Sequence, residues 1–347
     1  MPSPPPRLFR RLHAPALGFG HRSVGRLVAA AGILASVFLP FATAALEWEK
    51  TIALPGVTGR MDHMALNPSA QELYVAALGS NSVEVIDVAL GKRIRSLGGF
   101  AEPQGVLCAP ALNRLYVANG DNGVVRVFSL PSFSDAGSVA LDADADNLRY
   151  DSTAARIYVG HGRGALGVID PATDKVEAEL PLPGHPEAFQ LETKGPRIFV
   201  NVPGAHEIVV LDRTTRQRIA GWSTGFAAAN FPMALDEAHR RLFVGCRIPS
   251  RLLVFDTDSG REIAKLELHG DCDDLSCDTA RGCVYASCGE GFIDVFSLSP
   301  SGHYTRTETV GTAAKARTSL LDGERLFLAV PREGSRSAEI RVYRIRG

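Results

Sequence analysis

Seven copies of one aromatic-centred motif, a spacing of 41 to 44 residues between them, and four strand-like runs in each copy predict an all-β fold. Four strands per unit of roughly 40–45 residues is the blade size of a β-propeller, so the expected architecture is a seven-bladed β-propeller with four antiparallel strands per blade. The aromatic positions are Tyr74, Tyr116, Tyr158, Phe199, Phe243, Tyr285 and Phe327. Each follows an aliphatic residue and is followed by small and apolar ones. A helical solenoid would need an apolar period of about 3.6 residues, and no copy shows one.

The first copy sets the pattern for the others. Its runs fall at 61–66, 72–77, 82–87 and 92–97, with apolar and β-branched residues alternating along them. The breaks carry turn formers: Asn67 and Pro68, then Gly79, Ser80 and Asn81, then Gly91. The last copy stops at its third run, 339–344, and lacks a fourth. The segment 48–54 is an orphan strand that resembles the fourth runs at 92–97 and 261–266. It is expected to join the last blade and close the ring, which would protect an otherwise exposed edge.

Residues 1–44 do not share the repeat. They contain Arg7, Arg10, Arg11, Arg22 and Arg26, no acidic residue, an apolar run over 27–39, and then Ala42, Thr43 and Ala44. A basic segment, a short apolar core and an A-x-A site make a secretory signal peptide, cleaved after Ala44. The run is shorter than the roughly 20 residues a membrane span needs. The domain is therefore 45–347, a single propeller, expected to be periplasmic or secreted and monomeric, with no transmembrane segment. The whole chain has a formal net charge of −1, and loss of the five arginines leaves it near −6. That balance lacks the basic footprint of a nucleic-acid binder, and 7% aromatic residues offer few stacking platforms.

With the repeats laid out, the chain resembles the YVTN-repeat, YncE-like propellers of secreted bacterial proteins. The resemblance spans about 46–347. It is carried by 73–88 (LYVAALGSNSVEVIDV), 115–128 (LYVANGDNGVVRVF) and 157–170 (IYVGHGRGALGVID). The name-giving tetrapeptide itself is varied here to YVAA, YVAN, YVGH, FVNV, FVGC, YASC and FLAV. The resemblance implies the seven-bladed fold and export but no single reaction, because propellers host many functions. The WD40 signature is absent, although the resemblance implies a repeat of the same broad WD40-like class.

First strands line a propeller's channel, so the segments approaching them bring side chains from several blades to one mouth, here called the top. Those segments supply Arg60, Asp62 and His63; Glu102 and Gln104; Asp146 and Asn147; His185 and Glu187; Asn230; Asp271, Asp273 and Asp274; and Arg317. The loops between second and third strands add Asn122, His161, Arg163, His206, Arg247 and Arg332. Asp62, Glu102, Asp146, Glu187 and Asp273 give one carboxylate from each of five blades, an oxygen set that suits calcium. Some propeller hydrolases, lactonases among them, hold calcium in the channel. Arg60 and Arg317 at the same mouth instead favour an anionic ligand. Gly160, Gly162 and Gly164 sit in a hairpin with no following helix and are a turn rather than a phosphate cradle. No G-x-S-x-G elbow occurs.

Four of the six cysteines fall in the sixth copy, and symmetric spacing about position 280 pairs Cys272 with Cys288 and Cys277 with Cys283. The pairs are five residues apart, about 16 Å along a strand, too far for one zinc ion. An exported chain favours disulfides instead. Alternation of pair type along the ladder allows one easy cross-strand bridge, either Cys272–Cys288 or Cys277–Cys283, unless a bulge intervenes. Cys108 and Cys246 are expected to stay unpaired.

Two functional classes fit these residues. The first is a non-catalytic binding module that presents its top face to a small polar ligand or a protein partner. The alternative is a metal-dependent, calcium-type hydrolase acting at the channel mouth on a lactone or similar ester. A purely structural ring is the third.

Overall fold

A computed structural model describes residues 45–299 and 302–346, so the leader predicted at 1–44 lies outside the described residues. The seven aromatic positions are buried, all at 4% exposure or less, in the second strands of seven four-stranded antiparallel sheets. Blade one consists of Met64–Asn67, Glu72–Ala77, Ser82–Asp87 and Lys92–Gly98. Blades two to six follow in chain order, and the predicted strands recur in each with ends shifted by a few residues.

Alternation along the second strands explains why the blades assemble. Leu73, Val75 and Ala77 pack with blade seven, whereas Tyr74 and Ala76, pointing the other way, pack with blade two. The same division repeats around the molecule, so each blade is buried on both faces and seven apolar clusters fill the seven interfaces. A fully buried Leu, Val or Phe side chain contributes about 1.5–3 kcal/mol. No blade could keep that contribution alone.

The seventh interface is closed by the N-terminal strand. Ala45–Leu54 pairs antiparallel with Ala338–Arg346 as the outer strand of blade seven, from Ala45 opposite Arg346 to Leu54 opposite Ala338. It begins three residues before the predicted 48–54. Its inward residues Ile52 and Leu54 join the cluster shared by blades seven and one.

The register slips at one recurrent place. Between third and fourth strands a shift occurs at Val85/Ile86, Val127/Phe128, Val168/Ile169, Val210/Leu211, Val254/Phe255 and Val295/Phe296, and between the outer strands of blade seven at Trp48/Lys50. An extra residue of this kind bends a strand and strengthens its twist.

A different slip corrects the cysteine pairing. Cys272 faces Cys288 as predicted, but a shift at Cys272/Asp274 puts Cys277 opposite Val284 and Cys283 opposite Asp278. Cys277 then packs toward blade five, and Cys283 lies in the cluster toward blade seven. Side chains on opposite faces of a sheet cannot bridge, so the Cys277–Cys283 candidate is withdrawn. Cys272 and Cys288 both carry free thiols, as do Cys108 and Cys246.

Two outcomes test this architecture. Deleting residues 46–55 should lower the unfolding midpoint of the whole ring in a thermal melt, and fraying of blade seven at an unchanged midpoint would count against closure. Under oxidation, any disulfide formed in blade six should map to Cys272–Cys288. A peptide map joining Cys277 to Cys283 would refute the register.

Candidate functional site at the channel mouth

The repeat itself brings the acidic side chains together. The Asp62 N–H donates to the Ala76 carbonyl at 2.7 Å, Asp146 to Gly160 at 2.9 Å, and Glu187 to Asn201 at 3.0 Å. Each acceptor lies two residues after the second-strand aromatic. Asp62, Asp146 and Glu187 therefore hold the same place in blades one, three and four, where the chain leaves the loop for the channel.

Arginines are interleaved with these carboxylates. Arg60 lies 2.7 Å from Asp62 and 3.8 Å from Asp273. Arg317 holds Asp271 at 2.7 Å and Asp273 at 2.8 Å. Arg247 pairs with Asp273, reaches Asp271 at 3.4 Å, donates to the Cys272 carbonyl at 3.0 Å and lies over the Phe231 ring. Three guanidiniums and three aspartates from blades one, five, six and seven thus form one continuous network.

Deeper in the channel the balance is more acidic. His63 stands 3.6 Å from Asp146 and 3.9 Å from Asp62. Burial alone would lower the His63 pKa, but Asp62, Asp146 and Asp274 outweigh it and raise the value. Asp62 is pushed upward by burial, partly offset by His63 and Arg60. Asp274 accepts a hydrogen bond from the Ser319 N–H at 3.0 Å, yet burial raises its pKa to about 6. Glu187 is raised furthest, to about 8, by burial and then by Asp146, Asp273 and Asp62. A cavity of about 190 Å³ continues below, lined by His63, Asn147, Arg149, Asp274 and Ser319 among others.

Not every predicted residue joins this group. Glu102 is exposed, with a left-handed backbone (φ 55°) held by a hydrogen bond from its N–H to the Asn81 side chain. Gln104 donates to Asp144, and the His185 Nδ1 donates to the Gly162 carbonyl at 2.6 Å, so both serve the rim between blades two, three and four. Asn230 is fully buried and donates to Asn201 and to the Glu207 carbonyl, bracing blade four against blade five. Asn147 donates to Asp146 at 3.3 Å. Of the loop histidines, His161 bonds Glu179 on blade three's outer strand and His269 is held by Asp294 and Phe292.

The five-carboxylate metal set therefore does not assemble. Among the described residues no group of three or more His, Cys, Asp or Glu side chains is placed to hold a metal ion. Glu102 lies outside the cluster, and the arginines occupy positions beside Asp62 and Asp273 where a cation would have to sit. Lys315, Arg149 and Ser319 were missed by the sequence reading. Lys315 was detectable in principle, since it lies two residues before Arg317 in the approach to blade seven.

Comparisons place this geometry on a widespread fold. No family model and no curated protein matches the sequence. Among solved structures, a chain of the mitotic checkpoint complex is similar at a TM-score of 0.75 and 15% identity, covering 97% of this chain and 99% of its own. A chain of the hydrazine synthase of Kuenenia stuttgartiensis is similar at 0.69 and 13%, covering 80% and 95%. At such identities the likeness shows the β-propeller fold and nothing finer. No helix among the described residues is long and apolar enough to cross a membrane.

The Glu187 shift has a definite sign. Its folded pKa of about 8 exceeds the ordinary 4.5, so between those values the native state holds the extra proton. Its contribution to stability is complete below the lower value and is lost as pH rises through the upper one. The melting midpoint should therefore fall between about pH 5 and pH 9, and Glu187→Gln should flatten that fall. Equal slopes in the two proteins would refute the assignment.

Proposed function

We propose that this protein is an exported, monomeric, non-catalytic binding propeller of the YncE-like kind, whose top mouth takes a small polar ligand or a protein partner. The observation that carries the reading is the Arg–Asp network of Arg60, Arg247, Arg317, Asp62, Asp271 and Asp273. It draws charged and hydrogen-bonding groups from four blades into one concave surface and neutralises them without a metal. Such a surface offers both donors and acceptors to a polar ligand. Among the described residues no group of three or more His, Cys, Asp or Glu side chains is placed to hold a metal ion, which favours this reading over metal-dependent hydrolysis. The similar fold in the mitotic checkpoint complex is found within a complex, which accords with a protein partner. Export, with removal of residues 1–44, rests on the order of charge, apolar run and small residues in that segment.

The test is a native mass spectrum of the protein purified from the periplasm or culture medium without chelator. The expected result is a stoichiometric non-metal mass, or a co-purifying partner, that survives chelation and is lost in Arg60→Gln. A stoichiometric calcium mass removed by chelator would overturn the reading in favour of the metal-dependent hydrolase. A bare protein with no Arg60-dependent partner would overturn it in favour of a structural ring.

A further inference from the structure

Beside the Arg–Asp network, between blades six, seven and one, lies a second cavity of about 370 Å³. Arg60, Lys315, Arg317 and Arg332 line it with Asp271, Gly59 and Pro331. Four cations thus face a single carboxylate. That carboxylate is already engaged, since Arg317 holds both of its oxygens at 2.7 and 2.8 Å. Arg60 is engaged by Asp62 as well. Lys315 and Arg332 are not: among the described residues neither side chain has an ion pair or hydrogen-bonded partner, and both are exposed.

One of the two unpaired cations, Lys315, is carried on backbone held by the neighbouring blade. Lys315 has a left-handed conformation (φ 65°), and its N–H donates to the Gly289 carbonyl of blade six at 2.6 Å. The Ala316 N–H closes the same turn on Ala313 at 3.1 Å. On the opposite wall, Gly59 and Gly79 pack so closely that a Cβ at Gly59 would lie 2.9 Å from the Gly79 Cα. The Gly79 N–H also donates to the Arg60 carbonyl, which fixes the backbone from which Arg60 projects. A chain whose predicted domain is net acidic thus gathers four cationic side chains around one concave point. Lys315 and Arg332 bring donors with no acidic partner to this wall, and an oxyanion there would accept charge-assisted hydrogen bonds from them.

We infer that this cavity binds a small ligand through a carboxylate or phosphate group, with Lys315 and Arg332 as its direct contacts and Arg60 and Arg317 behind them. The inference rests on the mouth being a binding surface and specifies the charge of what binds there.

Calorimetric titration with inorganic phosphate and with tricarballylate tests it, using the intact domain, Lys315→Gln/Arg332→Gln, and, as a control, Arg261→Gln/Lys265→Gln just before and within the outer strand Glu262–Glu267 of blade five. The first pair of side chains has no partners to lose, so the fold is expected to persist, and a thermal melt verifies this. At least one anion should bind the parent and the control alike, and about tenfold or more weakly to the mouth variant. Preference for phosphate or for tricarballylate then identifies which oxyanion the site is built for. Equal binding by the mouth variant, or no binding by the parent below about 10 mM, overturns the inference. The native mass spectrum separates the two readings. An Arg60-dependent, non-anionic ligand there would leave the mouth as a binding surface while sinking the anion assignment.

Discussion

Every blade in this protein is a sheet with two apolar faces, and a sheet of that kind is stable only between two neighbours. The seven interfaces are equivalent in kind, and the seventh depends on the N-terminal strand, with Ile52 and Leu54, joining a sheet whose other three strands come from the far end of the chain. Closure is therefore the condition under which the other interfaces can exist without an exposed apolar face. It also explains why the small, tightly packed residues around Tyr74, such as Ala76 and Ala77, are fully buried despite lying in the middle of a repeat rather than at a conventional domain centre.

The same closure creates the chemistry at the mouth. Chain segments one repeat, 41 to 44 residues, apart in sequence arrive at one axis, and their side chains must be accommodated together. Asp62, Asp146 and Glu187 share a repeat position, so their convergence is a geometric by-product of the blade. Placing carboxylates together in a poorly solvated channel is unfavourable. The protein answers in two ways. Toward the surface it inserts Arg60, Arg247 and Arg317 among the aspartates, and deeper in it sets His63 between Asp62 and Asp146 while Glu187 retains its proton near neutrality.

The fold was legible because its signal repeats: a buried aromatic every 41 to 44 residues registers even when each copy is individually weak. The first strands were read less well. The run expected at 61–66 is reduced to Met64–Asn67, because Asp62 and His63 turn into the mouth while exchanging hydrogen bonds with Ala76. Site membership was only partly legible, since sequence places a residue in a loop without giving the direction of its side chain. Glu102 and Asp62 look alike on paper, but the left-handed backbone at Glu102 leaves that side chain exposed outside the cluster. The cysteine symmetry about position 280 failed for a comparable reason. A single extra residue at Cys272/Asp274 reverses the facing of everything that follows, and spacing alone carries no trace of it.

The recurrent slip between third and fourth strands bears on how the ring can be read by another molecule. Capture of a peptide by strand addition requires a flat, regular edge with a row of available backbone groups. All seven perimeter strands are bent by an extra residue, and they carry charged side chains such as Lys92, Arg93 and Arg95 in blade one or Glu262, Lys265 and Glu267 in blade five. These are the devices by which sheet proteins discourage edge-to-edge pairing. Both features disfavour backbone templating at the perimeter, in solution or toward a second ring. The two loop-bearing ends differ from the perimeter in that sequence there can vary from blade to blade without disturbing the packing that holds the blades together.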